Sequence, residues 1–372
     1  MFRYLFVSFL LLFQSAVHAV DLSRINLSYL YDPMALLKVE HSHIAENNKL
    51  LLYLNVRSKT ALSYALTLLT QKNLEAEYHR EISFDADTLK SGFKLSRYLI
   101  KADLDSLDDL LVLRFSNVGE VYYFPIHLYT DRGRTISFQQ EPARAYLSQA
   151  PQLQDTSAYP YCYAYSMDFG LADPAFGNMR ELSPTLKPDS LFTYSSEQTF
   201  QDWTFYFLQY DTTGAAGRGF LKCPSYYPKL RKVEEIVGPV QYLASANEFA
   251  EIVSADNPKF AFEQFWIRNA GGKERAKAAI SSYYYRVTWS NVLFTNYKPG
   301  WKTDKGLIFL VYGKPNQVYR TNRKERWLYL EGQEFEFIRI STLFAPTLYT
   351  LIRKKEYRDR WIQKIGQIRK GN

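Results

Sequence analysis

Asp304 is the side chain of this sequence best placed to do chemistry. It lies in Gly300-Trp301-Lys302-Thr303-Asp304-Lys305-Gly306, ahead of the apolar run Leu307 to Tyr312 and of Gly313-Lys314-Pro315. A carboxylate beside an indole can act as a general acid or base, or ligate a cation, with Trp301 as a stacking wall. The same residues also have a complete structural account. Gly300 gives a tight approach, Trp301 plugs the joint between helices and a sheet, and Thr303 or Asp304 bonds backbone amides at a turn. Gly306 and Gly313 then bracket a strand over Leu307 to Tyr312, with Pro315 two residues beyond Gly313. This account takes precedence, because carboxylates in turns are far commoner than catalytic ones. Asp304 remains the single catalytic candidate.

The other reactive groups narrow the chemistry. The five histidines are His18, His41, His43, His79 and His127. A Ser-His-Asp or Cys-His site inside the Asp304 region is therefore excluded, and zinc is disfavoured there. His41-Ser42-His43 on a strand would project both rings to one face. With no third ligand in the sequence they read as surface histidines rather than a metal site. Glu331, Glu334 and Glu336 suggest paired carboxylates, yet on a strand Glu334 and Glu336 share a face and read as a solvated edge. Gly214, Gly217 and Gly219 lack the lysine and following helix of a phosphate loop. No metal or cofactor is expected. The net charge of +8, from 46 basic against 38 acidic residues, is too mild for a nucleic-acid footprint. It suits acidic partners or an anionic lipid surface instead.

Further motifs accompany Asp304. In order come Phe265-Trp266, then Tyr285-Arg286-Val287 with Asn291 and Phe294, then Gly300 to Gly306, Tyr312-Gly313-Lys314-Pro315, Trp327-Leu328-Tyr329 and Phe335-Glu336-Phe337. In order and spacing this resembles the GWxTD domain, a family of bacterial exported proteins named for its motif and carrying no assigned activity. The likeness spans about Ser245 to Tyr349, and several separated motifs agree. Lys305 departs from the arginine of many members, which keeps the charge but loses the planar fork. The resemblance implies two helices followed by an antiparallel meander of Leu307 to Tyr312, Trp327 to Leu330, Phe335 to Ile340 and Leu348 to Arg353. That order is similar to small outer-membrane assembly lipoproteins, which favours a binding module over an enzyme.

The elements that must position these residues fall into several units, since the chain exceeds what one core supports. Arg3, the apolar stretch Tyr4 to Phe13 and the small residues around His18 have the form of a signal peptide over residues 1–19. A membrane span needs ~20 apolar residues, and this stretch is shorter. A soluble protein of the periplasm or outer-membrane periphery is expected. In that oxidising compartment Cys162 and Cys223, the only cysteines, are expected to pair, with two buried thiols as the alternative.

Residues 20–141 read as an immunoglobulin-like β-sandwich, from short apolar runs such as Lys49 to Val56 and Leu110 to Phe115, with a hairpin at Asn117 to Glu120. A proline-bearing linker leads to a second β domain over 156–225, whose aromatic strand is Asp202 to Tyr210. Residues 240–352 form the GWxTD α+β domain. There Ser245 to Glu248 is a capping box, Asn257-Pro258 starts the next helix, Gly271-Gly272 ends it, and Ala276 to Phe294 recur at helical spacing. The fold class is thus multidomain and mainly β, with two β-sandwich-like modules before a helix-helix-antiparallel-sheet domain.

Residues 353–372 are expected to form a basic amphipathic helix, with eight basic and two acidic residues. Trp361 with Arg353, Lys354, Lys355, Arg358 and Arg360 suits an anionic membrane surface or a partner groove, and equally a helix packed on its own sheet. The expected function is a non-enzymatic scaffold or accessory subunit of an outer-membrane, secretion or motility complex, with an envelope protein as partner and no nucleic acid. The alternative is an exported hydrolase or glycan-binding protein using Asp304 in an interdomain cleft.

Overall fold

The computed structural model describes residues 21–371, apart from 61–63, 77, 93, 106–107, 129–135, 137, 139–144, 154–158, 167–168, 179–186, 196, 215–216 and 342–346. The signal peptide expected over residues 1–19 lies outside the described residues.

The first unit contains β1 (Leu37–Glu46), β2 (Lys49–Ser58), β3 (Ala65–Gln71), β4 (Arg80–Ile82), β5 (Phe84–Lys90), β6 (Ser96–Asp103), β7 (Leu110–Asn117) and β8 (Glu120–His127). They form two four-stranded sheets, in the orders β1-β2-β6-β5 and β4-β3-β7-β8. This is the strand order of an immunoglobulin-like sandwich with one strand added beside the third. The period-two pattern drives it: Leu50, Leu52, Leu54 and Val56 of β2 face Leu66, Leu68, Leu111, Leu113 and Phe115 across one core. The hairpin between β7 and β8 turns at Gly119, whose φ of 94° suits glycine.

The second unit is a single five-stranded sheet ordered β11-β10-β12-β13-β9. Its strands are β9 (Tyr146–Leu147), β10 (Tyr161–Tyr165), β11 (Ser190–Thr193), β12 (Thr204–Gln209) and β13 (Arg218–Lys222). The short β9 comes from the stretch read as a linker and pairs parallel to β13. Every residue of the central strand β12 is buried, so both faces are covered. Tyr206, Leu208 and Cys162 point into one core, and Phe205, Phe207 and Cys223 into the other.

That arrangement overturns the expected disulfide. Cys162 and Cys223 are both free and buried. They sit on opposite faces with β12 between their strands, so at least two strand spacings, ~9–10 Å, separate them, and the register offsets them further along the strands. A disulfide needs Cα atoms within ~7 Å and Cβ vectors that converge. Burial also raises both thiols, Cys162 to about 12.

The C-terminal unit opens with α1 (Val233–Val237), α2 (Ala246–Ser254), α3 (Pro258–Ala270), α4 (Lys273–Phe294) and α5 (Asp304–Tyr312). A meander of β14 (Gln317–Arg320), β15 (Lys324–Leu328), β16 (Glu334–Ile340) and β17 (Leu348–Leu351) follows, then α6 (Arg358–Lys370). The capping box is present: the Ser245 hydroxyl accepts from the Glu248 amide at 3.3 Å, and the Glu248 carboxylate accepts from the Ser245 amide at 2.8 Å. Asn257 caps α3 ahead of Pro258, and Gly271 ends it at a φ of 74°.

Two local expectations change. Leu307 to Tyr312 is helix rather than strand, because Thr303 caps its start and Gly313, at a φ of 76°, ends it. A fully buried apolar run carries no visible period, so its sequence does not separate the two. Gly306 therefore lies inside the first turn of α5, and the meander begins instead at Gln317. Glu334 and Glu336 lie on β16, an interior strand, where they face Arg326 and Lys324 of β15 rather than a solvated edge.

The large core beneath these helices also takes in Leu27 and Tyr31 from the N-terminal segment and Ala172 and Ala175 from the stretch after β10. From the placement of the two cysteines, neither thiol should react with a thiol reagent in native buffer. Both should react once the chain is unfolded in denaturant without reductant, and electrophoretic mobility should be the same with and without reductant.

Candidate functional site

The segment Gly300–Lys302 is a single 3-10 turn, and Thr303 caps the helix that follows. The Thr303 hydroxyl accepts from the Gly306 amide at 3.1 Å and donates to the Gly300 carbonyl at 2.7 Å. A Cβ on Gly300 would collide with the Ser290 carbonyl of α4, and one on Gly306 with the Gly300 carbonyl. Both glycines are required by backbone approaching backbone. The turn is anchored from α4 as well. The Trp301 amide donates to the Asn291 side chain at 3.2 Å, and the Gly300 amide to the Thr295 hydroxyl at 3.1 Å. The buried Trp301 ring packs edge-on to Tyr242 at 6.0 Å and closes over Gly238.

Asp304, the first residue of α5, points at β17. One carboxylate oxygen accepts from the Leu351 amide at 2.7 Å, and the other is ion-paired with Arg353 at 2.6 Å. Both side chains are largely out of solvent, at 12% and 4% exposed for Asp304 and Arg353. Arg353 also donates to the Asp173 carbonyl at 3.1 Å, which draws in the segment after β10. The sole catalytic candidate is thus a carboxylate bound by an amide, a guanidinium and the positive end of its own helix. Arg353, read as part of a surface-binding tail, is its buried partner.

Lys305 points the other way, into the domain. Its ammonium lies 3.0 Å from Glu325, whose side chain is completely buried, and Arg320 meets the second Glu325 oxygen at 2.8 Å. The Trp327 indole donates to Glu325 at 2.6 Å. The Tyr31 hydroxyl accepts from Lys305 at 3.1 Å and from Arg320 at 2.9 Å. The Lys305 ammonium also sits 3.4 Å above the Tyr349 ring. Burial alone would raise the Glu325 carboxyl, but Lys305 and Arg320, with hydrogen bonds from Tyr31 and Trp327, hold it at about 2. Burial pushes Lys305 down to about 7, against the pull of Glu325. A planar guanidinium is not needed at Lys305, because Arg320 already supplies the fork.

The remaining expected residues are dispersed. Gly313 ends α5, and Pro315 leads into β14. His41 and His43 do share one face of β1, with ring centroids 6.3 Å apart. Among the described residues no group of three His, Cys, Asp or Glu side chains is placed to hold a metal. In the tail, Trp361 is buried against Tyr312 at 5.9 Å rather than offered to a partner, because α6 packs back across the helices. Lys355, Arg358 and Arg360 are exposed, and Lys354 is half-buried.

A cleft of about 460 Å³ opens beside the motif, between the second sheet and the C-terminal unit. Trp203, Phe169, Leu230, Trp301, Lys302 and Glu234 are among its lining residues, and Asp304 is not. Sequence reasoning missed Glu325, Arg320, Tyr31 and the partnership of Arg353 with Asp304. A signal for Glu325 was present: on a strand it shares a face with Trp327, so a buried tryptophan takes the carboxylate inside with it.

Removing one member of a buried pair leaves an unpaired charge, which costs ~3–5 kcal/mol. Asp304→Ala should lower the urea unfolding free energy by about that much, and Arg353→Met in the same chain should recover a large part of it. Gly306→Ala should cost at least ~1–3 kcal/mol through overpacking. The acid limb of stability follows from Glu325. A carboxylate held at about 2 against an ordinary 4.5 contributes stability that is complete above pH 4.5 and lost as the pH falls through about 2. Urea midpoints should fall across that window, and the double variant Lys305→Met with Glu325→Gln should show a shallower fall.

The GWxTD domain family matches residues 204–370. No curated protein and no solved structure matches the chain. The matched range contains β12 and β13 of the second sheet as well as the helices, the meander and all of α6. Its naming residues are those that join α4, α5 and β17 here, and residues 204–370 of the chain are a GWxTD domain.

Proposed function

We propose that this chain is an exported, non-catalytic envelope protein that works by protein contact, as a scaffold or accessory subunit of an outer-membrane, secretion or motility complex. The observation that carries the reading is the engagement of Asp304. Its carboxylate is bound by the Leu351 amide and by Arg353, so the motif's one ionisable group of catalytic type is committed to holding α5 on β17. The immunoglobulin-like sandwich and the aromatic five-stranded sheet agree with it, since such modules commonly present faces to other proteins. None of the described helices is long and apolar enough to cross a membrane. Export rests on the form of residues 1–19, and the exposed Lys355, Arg358 and Arg360 suit an anionic envelope surface.

A second reading, a glycan-binding or hydrolytic role between domains, draws on the cleft beside Trp301. That cleft would have to work without Asp304, using Trp203 and Trp301 as walls and Glu234 and Lys302 at its rim.

The decisive experiment is affinity isolation of the full chain from cross-linked envelopes of its own host. The expected result is repeated co-isolation of one or a few envelope proteins, and recovery of this protein alone would overturn the scaffold role. The second reading is separated by Glu234→Gln and Trp203→Ala. Loss of polysaccharide binding or hydrolysis in those variants, with partner recovery unchanged, would favour the cleft.

A further inference from the structure

We propose that the outer edge of β14 is a peptide-recognition site, and that its occupant is the chain's own segment Asn26 to Asp32, seated there as a releasable latch. β14 is the first strand of its four-stranded sheet, so among the described residues one side of its backbone has no strand partner. The Asn26 side chain fills that place. Its carbonyl oxygen accepts from the Val318 amide at 3.0 Å, and its amide donates to the Asn316 carbonyl at 3.4 Å. The Leu27 amide then donates to the Val318 carbonyl at 2.8 Å. A side-chain amide and one peptide group thereby copy a short stretch of ladder, the chemistry by which an added strand binds a sheet edge.

The same segment fills two pockets. Leu27 is fully buried in the core of the C-terminal unit. One 3-10 turn, Ser28–Tyr31, carries the chain from there to Tyr31. The Tyr31 ring lies 4.9 Å from Trp327 and 5.5 Å from Phe294, and its hydroxyl enters the cluster of Lys305, Arg320 and Glu325. Asp32 closes the seat through a 2.8 Å pair with Lys314. The recognition pattern is therefore Asn-Leu-x-x-x-Tyr-Asp read against an edge strand.

Tyr29 makes the latch two-sided. Its hydroxyl donates to the Tyr123 carbonyl at 2.6 Å and accepts from the Tyr123 amide at 2.8 Å. Tyr123 lies on β8, the edge strand of the second sandwich sheet. One short segment thus covers an edge of the sandwich and an edge of the C-terminal sheet at once. Two features make the seat exchangeable. The segment is held by single anchors instead of a continuous strand, and the charges under Tyr31 regain water when it leaves, which offsets part of the lost contact energy.

The test uses the full chain with a protease site inserted between Asp32 and Leu37. After cleavage the freed segment should co-elute with the rest of the protein. An excess of labelled synthetic peptide of residues 21–35 should then exchange into its place, and peptides carrying Leu27→Asp or Tyr31→Phe should compete at least about tenfold less well. Failure of excess wild-type peptide to exchange into the folded, cut protein would make the segment a fixed part of the fold and overturn the proposal. Equal competition by all three peptides, or unfolding on cleavage, would overturn it too. In the uncut chain Asn26→Ala should speed hydrogen exchange of the Val318 amide by about tenfold with the circular dichroism unchanged. An unchanged rate there would count against recognition at the edge.

Discussion

A carboxylate sealed away from water dictates much of the C-terminal domain. Glu325 has a side chain with no solvent exposure, and a buried charge of that kind persists only where opposite charge and hydrogen bonds replace its lost hydration. Four elements converge to supply them. Lys305 comes from α5, Arg320 from β14, the Trp327 indole from β15 itself, and Tyr31 from the far N-terminus of the described chain. Shifting any of these elements would strand a charge. The cluster therefore fixes register between helix, sheet and N-terminal segment more sharply than apolar contacts alone, which tolerate sliding.

The motif gains its logic from that requirement. Asp304 and Lys305 are consecutive, yet they face β17 and the Glu325 cluster, so the first turn of α5 is tied to the sheet at two separate points. Such a double tie works only if the turn sits against its neighbours without spacer atoms. Gly300 and Gly306 provide this, one against α4 and the other against the 3-10 turn. Trp301 then fills the volume that opens on the other side, against Tyr242 and Gly238. The position between Trp301 and Thr303 is held by its backbone: the Lys302 carbonyl accepts from the Ala172 amide at 3.1 Å. The Lys302 ammonium lies 5.5 Å from the centroid of the Trp301 ring.

The legible parts of this chain were those with a period or a cap. The apolar runs Lys49 to Val56 and Leu110 to Phe115 could be read as the strands that became β2 and β7, and Ser245, Asn257 and Gly271 mark helix ends by local chemistry alone. Two features erased that kind of signal. Leu307 to Val311 are all buried, so neither a period of two nor one of 3.6 is visible, and a capped helix was read as a strand. The cysteines failed for a different reason. Their even number and expected compartment argued for pairing, whereas pairing is decided by which face of the sheet each occupies. The partners of Asp304 and Glu325 were hidden by sequence distance, since Arg353 lies 49 residues from Asp304 and Tyr31 lies 274 from Lys305.

The same distances bear on what a domain is in this protein. The family match begins at residue 204, yet the buried cluster at the centre of the matched region is completed by Tyr31, and the Asp304 partner Arg353 reaches the Asp173 carbonyl. Both contributions come from outside the matched range. A unit cut at residue 204 would expose the Tyr31 seat beside three buried charges and leave a donor of Arg353 without its acceptor. The cost of an unsatisfied buried polar group is ~1–3 kcal/mol each, and more for charged groups, against a total stability of ~5–15 kcal/mol for a domain. Losses of that size count the seated N-terminal segment and the stretch at Asp173 among what stabilises the domain, so its physical boundary runs through space, around the charges, and not along the sequence.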